Sequence, residues 1–321
     1  MAAANDSGTK VLSYPIFGLR NKYLEDADDD FLYHFGFGIK TVDIPKVFGD
    51  TKFSKYQKGS RDQMGGFITI FEFVCTGGSS TRMKLYAEWF SKECGLECSE
   101  NLSRTDRFVL YKTGKVIWVN HGMGSPSLSI LLVEMLKIMH HAKAEDVKFI
   151  RVGTSGGVGV EPGTVVVTTG VMNGELTDKY VQWINGKKVE RDTWLDEDLR
   201  KELIAVASEK KIPVEAGLTL CADDFYEGQM RLDGFFCEYK ADDKFDFLNK
   251  IYEKGVRNFE MECTCFASMT YRAGVKAAIV CVAMLNRMEG DQVNIEHDQY
   301  IEYEERPFRV VTALIRRQLG Y

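Results

Sequence analysis

Three arginines stand in or beside short polar turns whose composition suits anion binding. Arg82 closes a glycine-rich turn that begins at Gly77, Arg151 precedes a second one from Gly153 to Gly157, and Arg107 ends a polar segment. Glycine allows close backbone approach to an anion, and guanidinium groups add paired donors that fit a small tetrahedral oxyanion. Neither turn matches the P-loop or the GxGxxG pattern. We interpret them as an oxyanion site; the alternative is ordinary turn glycines beside surface arginines.

A second polar group follows a short strand-like run. Gln229 and Arg231 lie two residues apart and would point the same way in extended backbone. An amide beside a guanidinium offers donors and an acceptor, which matches the edge of a uracil ring. The alternative interpretation is a polar loop containing a salt bridge.

The segment Glu260-Met261-Glu262 ends a predicted strand and enters a predicted helix. A carboxylate at that point could chelate vicinal hydroxyl groups. Alternatively, it is a helix N-terminal acid favoured by the helix dipole.

Short apolar runs alternate with helical patterns along the chain and predict the elements that hold these residues. Strands are expected at 67–75, 108–111, 116–119, 147–152, 164–171, 218–222, 257–261 and 277–285, and helices at 80–94, 126–142, 195–209, 245–254, 263–272 and 307–318. The last helix is predicted to begin at Pro307, because proline is tolerated at a first helical position. Such alternation indicates a layered α/β fold with its ligand at the carboxyl ends of the strands.

Composition limits the class of protein. The 321 residues are 45% hydrophobic and 27% charged, with a formal net charge of −6 and no clustered basic residues, so we expect no nucleic-acid partner. Apolar runs are too short for a membrane span, and the N-terminus lacks the pattern of a secretory signal. The eight cysteines form no CxxC pair, which favours reduced thiols and a cytoplasmic protein.

Taken in order, these segments resemble the uridine phosphorylases of the nucleoside phosphorylase-I family, and most closely those of animal type. The matching strings are Phe48-Gly49-Asp50, Thr76-Gly77-Gly78-Ser79 with Arg82, Thr105-Asp106-Arg107, His121-Gly122-Met123-Gly124, Arg151 to Gly157, Asp224 to Arg231, Glu260-Met261-Glu262 and Leu285-Asn286-Arg287. The likeness runs from about Leu32 to the C-terminus. It implies a three-layer α/β domain with a mixed central β-sheet flanked by helices.

The resemblance also implies a role for each matching residue. The phosphate-binding residues would be Gly78, Arg82, Arg151 and Thr154, with Arg107 from a partner subunit. The ribose-binding residues would be His34, again across the subunit boundary, with Met261 and Glu262. The base would contact Ser155, Gly156, Phe225, Gln229, Arg231 and Arg287, and Gln229 and Arg231 would be catalytic because they stabilise charge on the leaving base.

The implied reaction is reversible phosphorolysis of uridine to uracil and ribose 1-phosphate in pyrimidine salvage. Inorganic phosphate is a co-substrate, no metal or organic cofactor is required, and a homodimer with shared sites is expected. Asn286 stands about where purine-cleaving relatives carry an aspartic acid, and an amide cannot serve as that acid. Two alternatives are a catalytically weak nucleoside- or uracil-binding homologue and a hydrolytic nucleosidase.

The chain departs from the family pattern in a few places. Residues 1–30 form a predicted N-terminal extension, 31–321 the phosphorylase domain, and 54–73 a predicted insertion within it. Cys263 replaces a usual serine, and Ala283 a common threonine. Both were expected to touch the surroundings of the ribose and base.

Overall fold

The computed structural model describes residues 21–25, 30–38, 47–48, 71–142 and 144–321. The strands are β1 (Phe31–Leu32), β2 (Phe37–Gly38), β3 (Phe73–Gly77), β4 (Leu110–Thr113), β5 (Val116–Asn120), β6 (Lys148–Gly157), β7 (Val165–Met172), β8 (Lys179–Ile184), β9 (Lys187–Asp192), β10 (Val214–Cys221), β11 (Val256–Glu260) and β12 (Lys276–Asn286). The helices are α1 (Lys22–Glu25), α2 (Ser80–Cys94), α3 (Ser125–Ala142), α4 (Glu197–Glu209), α5 (Ala241–Glu253), α6 (Cys263–Ala273) and α7 (His297–Leu319).

Eight strands form one mixed sheet in the order β11-β10-β7-β12-β6-β3-β5-β4. Five neighbouring pairs are parallel, and β4 with β5 and β7 with β12 are antiparallel. The end of β6 also pairs with β11, which curves the sheet back on itself at that edge. The predicted α/β architecture with a mixed central sheet is confirmed.

Apolar side chains pack on both faces of the sheet. One core joins α3 and α6 to strand residues such as Val74 and Phe149, and the other joins α2, α4 and α7 to residues such as Trp118 and Val280. These side chains alternate along the strands, so successive residues reach opposite layers. The strands that carry the polar turns are therefore fixed from both sides.

Most predicted elements are present, with boundaries displaced by a few residues, and two predictions are wrong. The stretch 153–157, expected as a glycine-rich turn, continues β6 to Gly157. The last helix begins at His297, ten residues before its predicted start, and Pro307 lies inside it. Pro307 is buried together with Tyr303 and Phe308. Packing against the sheet outweighs the hydrogen bond that proline cannot donate.

Several predicted features lie outside the described residues. These are most of the N-terminal extension 1–30, Gly49 and Asp50 of the first matching string, and positions 54–70 of the predicted insertion. The last residues of that insertion are described: Phe71 and Phe73 are buried, and Phe73 opens β3. Within the described residues, no helix has both the length and the apolar character that crossing a membrane requires.

Candidate active site

A cavity of about 630 Å³ opens at the carboxyl ends of β3, β6, β11 and β12. Of the predicted site residues, eleven line it: Gly78, Arg82, Arg151, Thr154, Ser155, Gly156, Phe225, Gln229, Arg231, Met261 and Glu262. The cavity therefore lies at the carboxyl ends of the strands, where the sequence predicted that a ligand would bind. His34, Arg107 and Arg287 are not among its lining residues.

Positive charge and backbone N–H groups gather at one end of the cavity. Gly78 follows β3, and a Cβ there would lie 3.0 Å from the carbonyl oxygen of Gly122. Ser79 caps α2 by accepting a hydrogen bond from the backbone nitrogen of Arg82 at 3.2 Å. The first turn of α2 contains no acidic residue. The helix N-terminus and the Arg82 guanidinium therefore favour an anion at this end.

Arg151 lies deeper and is buried among groups that fix its guanidinium. It donates through Nη1 to Cys281 Sγ at 2.9 Å and through Nη2 to Glu262, while Glu260 Oε2 lies 2.9 Å from Nη2. Burial raises the pKa of Glu260, with Arg151 opposing that effect. Burial acts the same way on Glu262, but Arg151 and His121 outweigh it, and the pKa of Glu262 is lowered. Glu262 is thus held as a carboxylate at the cavity wall.

Another part of the cavity wall carries Gln229, Arg231 and the half-exposed ring of Phe225. The extended backbone predicted for Gln229 and Arg231 is wrong: Glu227–Gln229 is a 3₁₀ turn, and Met230 has a left-handed φ of 54°. Both side chains still line the cavity because the left-handed residue redirects the chain between them. Arg231 lies with Cζ 4.4 Å from the centre of the Phe225 ring.

Asp233 and Asp291 orient the Arg231 guanidinium. Asp233 accepts from Nε at 3.0 Å and from Nη2 at 3.1 Å, and Nη2 also donates to the carbonyl oxygen of Asp291. No partner for Nη1 occurs in the part of the chain that the structure describes. Nη1 is thus the nitrogen that can donate to a ligand. The hydrogen bond from Arg231 holds the pKa of Asp233 below its usual value, despite partial burial.

Arg287 occupies a different place from the one expected for a base contact. Its side chain is fully buried behind Gln229, donating from Nη1 to Gln229 Oε1 at 3.1 Å and from Nη2 to the Gln229 carbonyl oxygen at 2.7 Å. Asp291 accepts from its Nε at 2.9 Å. Gly156 leaves room for it, because a Cβ there would lie 3.1 Å from Arg287 Cγ. In this structure Arg287 acts on the cavity through Gln229.

Ser155 lines the cavity, but its hydroxyl is engaged within the sheet. The hydroxyl donates to the Val282 carbonyl oxygen at 3.1 Å and accepts from Asn258 Nδ2 at 3.0 Å. Its contribution to a ligand would therefore come from its backbone. Asn286 is likewise used locally, since its Oδ1 accepts from Gly159 and Met288.

His34 and Arg107, both predicted to act in a partner's site, lie side by side in the structure. The Arg107 guanidinium is 4.9 Å from the centre of the Phe108 ring, and the His34 ring is 6.1 Å from the same ring. Thr105 links them, because its hydroxyl donates to the His34 carbonyl oxygen and accepts from the Arg107 backbone at 3.3 Å. His34 Nδ1 lies 2.8 Å from Glu134.

Comparison with known proteins identifies the family to which the chain belongs. The model of the phosphorylase superfamily matches residues 72–316. The chain belongs to this superfamily. A Caenorhabditis elegans protein named "Uridine and thymidine phosphorylase" is 64% identical over 301 residues, which are 94% of this chain and 95% of that protein. These matches confirm that the chain is a member of the uridine phosphorylase family.

Solved structures agree with this membership. A uridine phosphorylase from Schistosoma mansoni in complex with uracil superposes with a TM-score of 0.83 at 39% identity, covering 94% of this chain and 99% of that chain. The family also includes a Schistosoma mansoni protein named "Inactive uridine phosphorylase B", 36% identical over 94% of this chain and 96% of its own length. Because the family includes a protein named as inactive, the activity of this chain depends on the residues of its own site.

The two departures from the phosphorylase pattern lie outside the lining of the cavity. Cys263 and Ala283 are buried, and neither is a lining residue. The Cys263 backbone nitrogen donates to Glu260 Oε1 at 2.7 Å. Ala283 packs against Gly157, where a Cβ would lie 3.1 Å from its own. Each residue nevertheless adjoins a lining residue, Cys263 beside Glu260 and Ala283 beside Ser155 on the adjacent strand, so both reach the surroundings of the cavity without opening onto it.

His121 is a cavity residue to which the sequence analysis assigned no role. It lies at the end of β5 beside Gly122, is buried, and neither ring nitrogen has a hydrogen-bond partner among the described residues. Burial lowers the pKa of His121 to about 4, although Glu262 opposes this effect. A neutral imidazole with unpartnered nitrogens can both donate to and accept from a bound ligand. The sequence offered one signal for such a role, because His121 directly precedes Gly122 in one of the strings that match the phosphorylase family.

One buried group brings metal-ligand types together. The ligand atoms of Cys221, Glu260 and Cys263 all lie within 4.8 Å of one another. Glu260, however, already accepts from the backbone nitrogens of Glu262 and Cys263 and pairs with Arg151. Its carboxylate therefore has a structural role that connects the end of β11 to α6. All eight cysteines of the chain are free thiols.

Proposed function

We propose that this protein catalyses the reversible phosphorolysis of uridine to uracil and ribose 1-phosphate, acting in pyrimidine salvage. The observation that carries the proposal is one cavity lined by two arginines, by a carboxylate that pairs with one of them, and by an amide–guanidinium pair. Arg82 and Arg151 suit a phosphate dianion, Gln229 and Arg231 suit pyrimidine carbonyls, and Glu262 suits ribose hydroxyls.

The order of these groups fits in-line displacement at C1′. Phosphate lies against Gly78, Arg82, Arg151 and Thr154, below a ribose held by Met261 and Glu262. A phosphate oxygen forms a bond to C1′ as the C1′–N1 bond breaks, and the electron pair leaves with uracil. Positioning and electrostatic stabilisation carry such a reaction, because the sugar becomes oxocarbenium-like.

The base end stabilises the leaving group. Negative charge spreads onto the uracil oxygens, where Arg231 Nη1 and the Gln229 amide donate. Phe225 offers its ring as a stacking surface, and the Ser155–Gly156 backbone forms the floor. Arg287 fixes the amide of Gln229 from behind. The departing uracil anion takes its proton from water. This chemistry uses phosphate as a co-substrate and requires neither a metal nor an organic cofactor.

The proposal includes a homodimer in which each site is completed by its partner. His34 and Arg107 form one patch around Phe108 and do not line their own chain's cavity. In a symmetric dimer this patch would face the partner's cavity, with Arg107 at the phosphate and His34 at the ribose. Free thiols suit the reducing cytoplasm, where we place the activity.

A uracil-release assay with and without phosphate tests the proposal. Release that requires phosphate and yields ribose 1-phosphate is the expected result. Release that ignores phosphate would instead indicate a hydrolytic nucleosidase. Uridine binding without release would indicate a binding homologue. Thymidine belongs in the same assay as a second candidate substrate, because the 64% identical relative is named for both nucleosides.

A further inference from the structure

Arg82 is held by an acidic residue to which we assign no contact with a substrate. Its Nη1 lies 3.1 Å from Glu304 Oε1, and both side chains are partly buried. Arg82 belongs to the first turn of α2 and lines the cavity, whereas Glu304 belongs to α7 and stands just outside the lining. The pair joins two helices across the rim of the phosphate end.

Helix packing fixes the position of the Glu304 carboxylate. Tyr86, one helical turn after Arg82, donates its hydroxyl to the Glu304 carbonyl oxygen at 2.7 Å. The Tyr86 ring stacks on Phe308 with their centres 4.5 Å apart. Tyr300 lies one turn before Glu304 and lines the cavity, so this face of α7 is directed to the site. The packing of α7 against α2 therefore places the Glu304 carboxylate next to Arg82.

We propose that Glu304 sets the affinity of the site for phosphate by holding Arg82 in the absence of the anion. The inference rests on the proposed function and names a positioning residue for it. A phosphate dianion that recruits Arg82 must share or displace the Nη1 contact with Glu304, and it meets the like charge of that carboxylate. Because the arginine is competent for phosphate only in the fraction of molecules that release it, the apparent affinity falls by that fraction.

Arg151, the other arginine assigned to phosphate, has no acidic partner that could be changed in the same way. Arg151 is also paired with carboxylates, but Glu260 is bound by two backbone N–H groups and Glu262 is assigned to the ribose. Changing either would disturb the fold or the sugar site. Glu304 is itself assigned no contact with a substrate, and its change alters the site only through Arg82.

The test is Glu304→Gln, which keeps an oxygen that accepts from Arg82 and removes the charge. The KM for phosphate should fall about two- to fivefold, the range expected for a partly exposed ion pair. The KM for uridine and kcat should change less than about twofold. Glu305→Gln is the matched control: it makes the same charge change one residue away, where the carboxylate pairs with Arg309. It should leave the phosphate KM unchanged.

Two outcomes for the phosphate KM of this variant would overturn the inference. A higher phosphate KM in Glu304→Gln would mean that the charge of Glu304 is needed to orient Arg82, and an unchanged KM would mean that the pair has no influence. In an Arg82→Ala background, Glu304→Gln should no longer improve phosphate binding. A persistent improvement there would contradict the proposed route through Arg82.

Binding of phosphate alone separates this inference from the proposed function. Thermal stabilisation by inorganic phosphate, without nucleoside, should reach its midpoint at a lower concentration for Glu304→Gln than for the wild type. If the wild type releases no uracil but this shift occurs, the proposed function fails and the inference about Glu304 stands. If uracil is released but the midpoint does not move, the inference alone fails.

Discussion

Arg287 donates one hydrogen bond to the side-chain oxygen of Gln229 and another to its main-chain oxygen, at 3.1 and 2.7 Å. The amide is thereby oriented, because its Oε1 is occupied by the buried guanidinium. Its Nε2 is then the group directed away from Arg287 and available to a ligand. In the proposed reaction this nitrogen donates to a uracil carbonyl oxygen. Arg287, which does not line the cavity, thus sets the orientation of the Gln229 amide.

Gln229→Glu should separate activity from stability. The carboxylate keeps an acceptor for Arg287 and forms a stronger, charged contact with it, so the thermal midpoint should be unchanged or higher. The donor to the base is lost and a negative charge faces the leaving uracil. Activity, measured as kcat/KM for uridine, should fall about 10²–10³-fold, the usual cost of removing one such donor. Gln182→Glu, on β8 away from the cavity, is the control and should retain activity.

Arg231→Ala should damage turnover far more than folding. It removes the Nη1 donor and the contact with Phe225, and we expect kcat/KM to fall by about 10²–10³. The Asp233 carboxylate loses its ion pair but keeps the hydrogen bond from Gln292 and is partly exposed, so the loss of stability is limited. Steady-state kinetics and a thermal melt on the same preparation make the comparison. Kinetics equal to the wild type would contradict the assignment of Arg231 to the base edge.

The sequence predicted that Gly78, Arg82 and Arg151 lie close together, because each follows or ends a strand and the carboxyl ends of parallel strands meet at one edge of the sheet. Gly78 must be small where the chain passes Gly122, and Arg82 follows a helix cap. The cavity contains these residues as expected. Helix and strand periodicity likewise placed most of the elements that support them.

The sequence could not predict the conformation around Gln229 or the burial of Arg287. Met230 adopts a left-handed φ without being glycine, and the local hydrogen bonds of the turn are supplemented by contacts from Arg287 and Asp291, which are distant in sequence. Arg287 is buried because Asp291 and Gln229 satisfy its donors, which only the folded chain brings together. A charged residue read alone suggests a surface or a ligand contact.

The β8–β9 hairpin was missed although a signal was present. Asn185 and Gly186 both have positive φ values, 51° and 70°, as a two-residue type I′ turn requires. Apolar periodicity did not reveal the flanking strands, because β9 is charged at five of its six positions and the apolar residues of β8 do not alternate with polar ones. In contrast, the early start of α7 had no local signal, because proline usually marks a helix beginning.

Shared active sites can be tested by mixing two inactive variants. Arg107→Ala should impair the partner's site, and Arg151→Ala should impair its own. A mixed dimer then has one intact site and one site with both defects. Random exchange between subunits should restore about a quarter of the wild-type activity, because half of the dimers are mixed and each has one good site. Each variant subjected to the same exchange alone is the control. Mixtures no more active than their components would contradict the shared site.

The neutral His121 predicts a specific loss of stability in acid. Its pKa in the folded protein is about 4, below the value of about 6.5 expected for the unfolded chain, because burial disfavours the charged ring. Between these two values the unfolded state binds more protons, so the contribution to stability is complete above about pH 6.5 and is lost as the pH falls towards 4. The loss from this residue between pH 7 and 4.5 should be about 2–3 kcal/mol.

Urea unfolding at both pH values measures this contribution. The wild type should lose more free energy of unfolding on acidification than His121→Asn, by about the amount stated above. His297→Asn replaces an exposed histidine at the start of α7 and should lose as much as the wild type. Equal losses in all three proteins would mean that His121 binds a proton as readily in the folded state as in the unfolded state. That result would contradict an imidazole whose pKa is lowered by burial.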